Sequence, residues 1–318
     1  MALTKSYTDY AVALHTKTAQ SGAAVYVDGI QPSPGLNSQL QTEVVAGDGS
    51  VYNTFGALNS GAPAATFETV DLKAFLDQCG TTGMLIDADE THPGAVIYFP
   101  KRVIGGALAS GASHWTATIA NGILVPRTLE MSHQQSATIS AEALAIKSGS
   151  TAPVTFDEAV SLPESVYPSV GDIWTLGNVD LNGTQLQGVT SVSIDFGIEL
   201  ITQAGDSDIY PTFVGLQKIQ PRITIQSAHI DITSVVTEDG LGYNASEVIL
   251  YARHRAEGGT VVADVTETHV AFSLGKVRVD WESVGSDPKE ISLSLQPYYT
   301  AGESPVTPIT VETTAAIS

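Results

Sequence analysis

Cysteine is almost absent: Cys79 is the only one in 318 residues, which excludes an internal disulfide and any zinc site built on several thiolates. Basic residues are scarce as well. Fourteen Lys and Arg stand against 34 Asp and Glu, for a formal net charge of −20, so the chain lacks the cationic groove that grips phosphates, and an anionic membrane face would repel it. No stretch approaches the roughly 18 apolar residues that carry a helix across a bilayer, so no membrane insertion is expected. The opening residues, MALTKSYTDY, do not form a basic region followed by an apolar run, and the expected starting compartment is the cytoplasm. What is present is enough for a core, with 43% hydrophobic residues, 29 Gly and 15 Pro. At about 150 residues per domain the length has room for two.

The chain matches itself. Residues 46–58 (AGDGSVYNTFGAL) and 204–216 (AGDSDIYPTFVGL) share Tyr52 with Tyr210, Phe55 with Phe213 and Leu58 with Leu216 without a gap, and the register continues to Pro63 with Pro221 and Thr66 with Thr224. Upstream, Val12-x-Leu14 and Val25-x-Val27-Asp28 align with Val179-x-Leu181 and Val192-x-Ile194-Asp195. Downstream, Asp87, Glu90 and His92 align with Asp264, Glu267 and His269. Three collinear blocks that include Tyr, Phe and His indicate an internal duplication rather than shared composition. The shared aromatic and aliphatic positions are expected in the core of each copy. The division expected is a first domain at 1–148, a Ser/Pro/Val-rich linker arm at 149–171, a second domain at 172–304 and a C-terminal arm at 305–318.

Strand periodicity dominates. Val192, Ile194, Phe196, Ile198 and Leu200 alternate with Ser191, Ser193, Asp195, Gly197 and Glu199, which reads as one long strand with an apolar and a wet face. Trp115, Ala117 and Ile119, followed by Asn121-Gly122 and Ile123-Leu124-Val125, read as a hairpin. Helix is expected at Val70–Cys79, where Leu72, Phe75, Leu76 and Cys79 form one stripe, Thr69 caps the start and Gly80 ends it. That stripe makes Cys79 a buried structural thiol. By the repeat, Ser246–Ala256 is the helix's counterpart, although its apolar run also suits a buried strand. The fold class expected is mainly β: two tandem homologous sandwich- or barrel-type domains, each with one packed helix.

Motifs of chemistry are weak. Gly240-x-Gly242-x-x-Ala245 looks like a dinucleotide fingerprint but follows Glu238 and Asp239, which would repel a pyrophosphate, and has no βαβ context. Asp87-x-Asp89-x-Thr91 starts like a calcium loop, yet His92 and Pro93 stand at the turn glycine and next ligand. Asp87/Glu90/His92 and Asp264/Glu267/His269 are suitable acid–base or metal groups, but a site present in both halves reads first as a repeated structural corner. No catalytic, cofactor or metal residues are assigned, no cofactor is expected, and the chain is not expected to be an enzyme.

This organisation, carried by VTSVSIDFGIEL (189–200), GDSDIYPTFVGL (205–216) and VDLKAFLDQC (70–79), resembles the tail tube proteins (major tail proteins) of tailed bacteriophages, with the tube domain duplicated. The resemblance implies a virion structural protein, assembled in the host cytoplasm. It implies a homotrimeric ring with pseudo-sixfold symmetry, rings stacking into a tube, contacts with tape-measure and terminator or baseplate proteins, and viral DNA passing through without specific binding. It also implies that Ser191, Ser193, Asp195 and Glu199, with Asp28 and Glu43 in the first copy, face the channel. The other readings left open are a different virion or hub component, a receptor- or carbohydrate-binding module, and an enzyme using the Asp/Glu/His groups. Acidity favours a conduit, because both halves are acidic: 14 acids against 7 bases in 1–159 and 20 against 7 in 160–318. A like-charged wall lets DNA pass without holding it.

Overall fold

Two-residue alternation builds the molecule, as Val192 and Ile194 show by being fully buried between half-exposed Ser191 and Ser193. The structure is a computed structural model and describes residues 11–14, 25–27, 35–45, 55–88, 94–101, 109–162, 172–205, 208–228, 242–256, 259–284, 291–298 and 307–317. The first half contains β1 (Ala11–Leu14), β2 (Val25–Val27), β3 (Gly35–Asn37), β4 (Gln41–Val45), β5 (Phe55–Ser60) and β6 (Ala64–Thr69). Helix α1 (Leu72–Cys79) follows, then β7 (Met84–Asp87), β8 (Ala95–Phe99), β9 (His114–Ile119), β10 (Asn121–Ser132), β11 (Thr138–Ala145) and β12 (Val154–Val160). The second half contains β13 (Ile173–Leu181), β14 (Thr184–Gln185), β15 (Val189–Asp195), β16 (Ile198–Ala204), β17 (Pro211–Ile219) and β18 (Arg222–Ser227). After these come β19 (Gly242–Ala245), β20 (Val248–Ala256), β21 (Thr260–Val261), β22 (His269–Leu274), β23 (Val277–Val284), β24 (Ile291–Pro297) and β25 (Ile309–Ala315). The fold is mainly β, in several antiparallel sheets.

A ten-stranded central sheet runs β19-β23-β24-β18-β15-β10-β11-β6-β3, with β7 also on β10, and so takes strands from both halves. Each half adds an outer sheet, β12-β9-β8-β1-β2 in the first and β14-β13-β20-β22-β25 in the second, and a two-stranded hairpin, β4-β5 or β16-β17. The register of the halves is the same. Gly35, Leu36 and Asn37 of β3 face Thr66, Ala65 and Ala64 of β6, as Ser193, Ile194 and Asp195 of β15 face Thr224, Ile223 and Arg222 of β18. A bulge falls at Arg127 between β10 and β11 and at Glu282 between β23 and β24. In the outer sheets Val12 and Leu14 face Ile97 and Ala95, as Val179 and Leu181 face Leu250 and Val248.

Five sequence expectations are corrected. The strand at 189–200 is two strands in two sheets, because the chain turns at Gly197, φ 58°, where an added Cβ would lie 1.9 Å from the Gln220 carbonyl oxygen. Asn121-Gly122 is not a hairpin: β9 lies in the outer sheet and β10 in the central one, and Gly122 is needed because a Cβ there would lie 2.0 Å from the Leu144 carbonyl oxygen. The helix cap is Asp71, whose carboxylate accepts from the Ala74 amide at 3.1 Å, while Thr69 accepts from the Asp71 amide. Ser246–Ala256 is no helix: Val248–Ala256 is β20, the counterpart of β8, since Val248 faces Leu274 as Ala95 faces Ile119. Finally, the arms at 149–171 and 305–318 contain β12 and β25, the closing strands of the two outer sheets. Val154 faces Ile119 and Ile309 faces Leu274.

The sheets and helix bury a large apolar core, and Tyr251, Ala271, Ala315 and Ile317 form a small second cluster. Phe75 of α1 is fully buried and meets Phe67 edge-on at 6.2 Å, each such side chain contributing about 1.5–3 kcal/mol by leaving water. Cys79 closes the same stripe, and burial pushes its thiol far up from its ordinary value.

Candidate functional site

One face of the central sheet is polar across both halves. Antiparallel pairing puts Thr128 beside Asp195, Glu130 beside Ser193 and Ser132 beside Ser191, and then Thr224 beside Ser294 and Gln226 beside Ser292. Hydrogen bonds cross the strands on that face. The Ser193 hydroxyl donates to Glu130 at 2.6 Å, the Ser191 hydroxyl donates to the Gln226 side-chain oxygen at 3.1 Å, and the Ser292 hydroxyl donates to Glu282 at 3.4 Å. Thr128 and Ser140 share one at 2.7 Å. The opposite side chains, Leu129, Val192, Ile194, Ile223, Ile225 and Leu293, are fully buried. The period of two therefore separates a dry face from a wet one rich in hydroxyls and carboxylates, with Arg127, Arg222 and Arg278 paired to Glu142, Glu282 and Asp280.

The candidate wall residues divide. Ser191, Ser193 and Asp195 lie together on this polar face. Glu199 does not: it sits on β16, opposite Lys218 in the β16-β17 hairpin, beyond the turn at Gly197. Glu43 is exposed on β4, where Asn59 donates to it at 3.3 Å. Asp28 lies outside the described residues. Its alignment with Asp195 is overturned, because Val25–Val27 pairs with β1 in the outer sheet and the place of Asp195 is held by Asn37. Asn37 accepts from the Gln39 amide at 3.0 Å, as Asp195 accepts from the Gly197 amide at 2.9 Å. Gln39 and Gly197 both have positive φ, 46° and 58°. That Asx-turn pair, Asn37-x-Gln39 with Asp195-x-Gly197, was visible in the sequence as an ungapped extension of the 204–216 match. Glu130, Thr128 and Ser140 carried no such signal, since only pairing reveals that they share a face with Asp195.

In the second copy of the aromatic block two expected core residues lie at the surface of the β16-β17 hairpin: Phe213 is 54% exposed and Leu216 44% exposed on β17. Leu58 on β5 is half-buried, Tyr52 lies outside the described residues, and nothing is described of the Phe55 side chain. Tyr210 does pack, against Gly61 of the first half.

The Asp/Glu/His corner resolves into a structural histidine. His269 is fully buried. Its Nδ1 accepts from the His254 amide at 2.9 Å, which leaves Nε2 to donate to the Ala263 carbonyl at 3.1 Å. Asp264 pairs with Arg253 at 3.0 Å and Glu267 is exposed. Glu90 and His92 lie outside the described residues, and Asp87 ends β7. The histidine that occupies the same place in the first half is His114, not His92. His114 Nδ1 accepts from the Lys101 amide at 2.9 Å and Nε2 donates to the Ala109 carbonyl at 3.0 Å. Among the described residues no group of three His, Cys, Asp or Glu could hold a metal ion. Gly242–Ala245 is a strand, so no helix N-terminus follows the glycines there.

The halves meet at a joint that combines pairing and clamps. Beyond β10 with β15, the Arg127 guanidinium donates to both Glu142 and the Ile198 carbonyl, and the Phe196 amide donates to the Arg127 carbonyl at 3.0 Å. The tip of the β16-β17 hairpin docks on the first half. The Gly61 amide donates to the Ile209 carbonyl at 3.0 Å, the Lys147 amide donates to the Pro211 carbonyl at 2.8 Å, and Lys147 pairs with Asp208. Behind α1, the Thr81 hydroxyl donates to the Ile309 carbonyl at 2.6 Å, so the first half's helix region rests on β25. No protein-family model matches the chain, and a comparison with curated proteins gave no match.

Proposed function

We propose that the chain is a virion structural protein whose two halves are copies of one tube-type domain, and that three chains close into a ring of six such domains, rings stacking into the tail tube. The observation that supports this reading is the pairing order of the described strands, β3-β6-β11-β10 in the first half and β15-β18-β24-β23 in the second, joined side by side through β10 and β15 into a continuous sheet. A joint between unlike edges propagates head to tail and closes when the rotation per unit divides a full turn. Whether every second joint is covalent does not matter to that closure. In this reading the hydroxyl- and carboxylate-bearing face of the sheet is the channel wall. DNA and, before it, a tape-measure protein pass along it, and no bond is made or broken.

Electron microscopy and native mass of the purified, assembled protein test the stoichiometry. Three chains per ring with pseudo-sixfold averages are expected, and six chains per ring would overturn it. Monodisperse monomers that bind glycans would favour a binding module instead. For the wall, Glu130→Lys combined with Asp195→Lys is expected to slow DNA ejection from particles that still assemble. Unchanged ejection from normal particles would remove that face from the channel.

A further inference from the structure

Strand β10 divides its outer edge between two partners. Asn121–Leu124 takes β7, and Thr128–Ser132, beyond the bulge at Arg127, takes β15. Strand β23 repeats the arrangement, with Val277–Asp280 on β19 and a bulge at Glu282, but Ser283 and Val284 have no strand on that side among the described residues. At the far end of the sheet β3 pairs with β6 as β15 pairs with β18, and among the described residues its other edge has no strand. The chain thus carries both halves of a second joint. They do not pair within one molecule: seven strand spacings of about 4.8 Å separate β23 from β3 along the sheet.

We infer that β23 of one copy adds antiparallel to β3 of the next, with Ser283 opposite Asn37 and Val284 opposite Leu36. The register follows from the joint within the chain, where Thr128 faces Asp195 and Leu129 faces Ile194, and from the correspondence of Thr128 with Ser283 and of Asp195 with Asn37 in their own pairings. A hollow beside β3 supports the same occupant. About 280 Å³ is open there between Leu36, Leu40, Pro63, Pro153, Val154 and Phe156. The corresponding place in the second half, lined by Phe196, Pro221, Pro308 and Ile309 together with Thr81 and Thr82 of the first half, has no room for a water molecule; Phe196 stands there where Ser38 lines the open hollow, and Thr81 and Thr82 add cover from the preceding half. A hollow that is filled at one joint and open at the other fits a next copy that covers it. The two joints differ in one respect: Glu282 stands where Arg127 stands, so the joint between copies has no guanidinium to donate to the carbonyl of Leu40, the counterpart of Ile198.

This inference rests on the ring reading and is tested so that the two fail separately. Asn37→Cys and Ser283→Cys are introduced together, Cys79 being buried and left in place. Assembled protein is treated with a short bismaleimide and the linked peptides are identified by mass spectrometry. Thr128→Cys with Asp195→Cys serves as the internal standard, and each single variant is checked for wild-type melting. The expected result is chains covalently joined in closed threes through 37 and 283, with the standard linking only within a chain. Intact rings without the 37–283 link, while the standard reacts, would overturn the inference and leave the ring standing. Protein that stays monomeric at every concentration would overturn both.

Discussion

Strands β12 and β25 take corresponding places in the two outer sheets, Val154 of β12 facing Ile119 of β9 as Ile309 of β25 faces Leu274 of β22, yet they differ in cover. Phe156 on β12 is 60% exposed, whereas its counterpart Val311 on β25 is half-buried. The difference comes from the neighbour. Residues of α1 and its following turn rest on β25, through Lys73 on Thr313 and Thr81 on the Ile309 carbonyl, and among the described residues no helix does the same for β12. A large aromatic left open where its counterpart is half-covered is thus a property of what packs on the strand, not of the strand itself.

The comparison between halves is broken or sharpened most sharply at the turn before each hairpin. Gly197→Val places a β-branched residue at positive φ against the Gln220 carbonyl and is expected to cost about 4 kcal/mol or more. Gln39→Gly at the matching turn is expected to gain about 1 kcal/mol, since glycine removes the left-handed penalty. Chemical denaturation of both variants checks the pair, and a destabilised Gln39→Gly would mean the turns are not equivalent. Next, His114→Ala and His269→Ala each strand a buried amide and a carbonyl and are each expected to cost about 3 kcal/mol. Calorimetry that shows one to be silent would end the correspondence of the two histidines.

Smaller effects separate the joint from its twin. Arg127→Ala leaves Glu142 and the Ile198 carbonyl without their donor and is expected to cost about 1–3 kcal/mol in urea titrations. Arg222→Ala, which breaks the more exposed pair with Glu282, is expected to cost less than about 1 kcal/mol. Equal losses would show that Arg127 does not clamp the halves. The smallest effect concerns Asp180 on β13, whose carboxyl burial pushes up from its ordinary value. A raised folded value means the protonated form suits the fold, so that contribution is present at low pH and lost as pH rises through the raised value. Asp180→Asn is expected to melt slightly higher than the parent at pH 7 and equally at about pH 3. A variant that melts lower at pH 7 would show that the carboxylate stabilises the fold.

The β class and the helix stripe were legible because each rests on short-range regularity. Alternation at 189–200 reported which side chains go inward, and Leu72, Phe75, Leu76 and Cys79 reported the buried helix face. The same alternation could not show that the strand divides at Gly197, since a turn that keeps the inward-outward order leaves no mark in the pattern. The upstream match joined Asp28 to Asp195 on three residues, and the pairing of β3 with β6 shows Asn37 to be the counterpart. Likewise His92 and His269 share a local motif, while His114 and His269 share a place. Motifs follow the chain, whereas the demand for a buried imidazole between an amide and a carbonyl follows the sandwich.

The sequence by itself determined the mainly β fold, the inert buried thiol and the acidic, hydroxyl-rich character of the exposed strand positions. These depend on side-chain period and composition, which act within a few residues. Only the tertiary structure decided which of those positions share one face, that β10 and β15 join the halves, and that among the described residues β3 and the end of β23 at Ser283 and Val284 have no strand beside them. Those outcomes depend on hydrogen bonds between strands far apart in the chain, where a backbone amide can pair with any carbonyl and only the packing of the finished sheet selects among them.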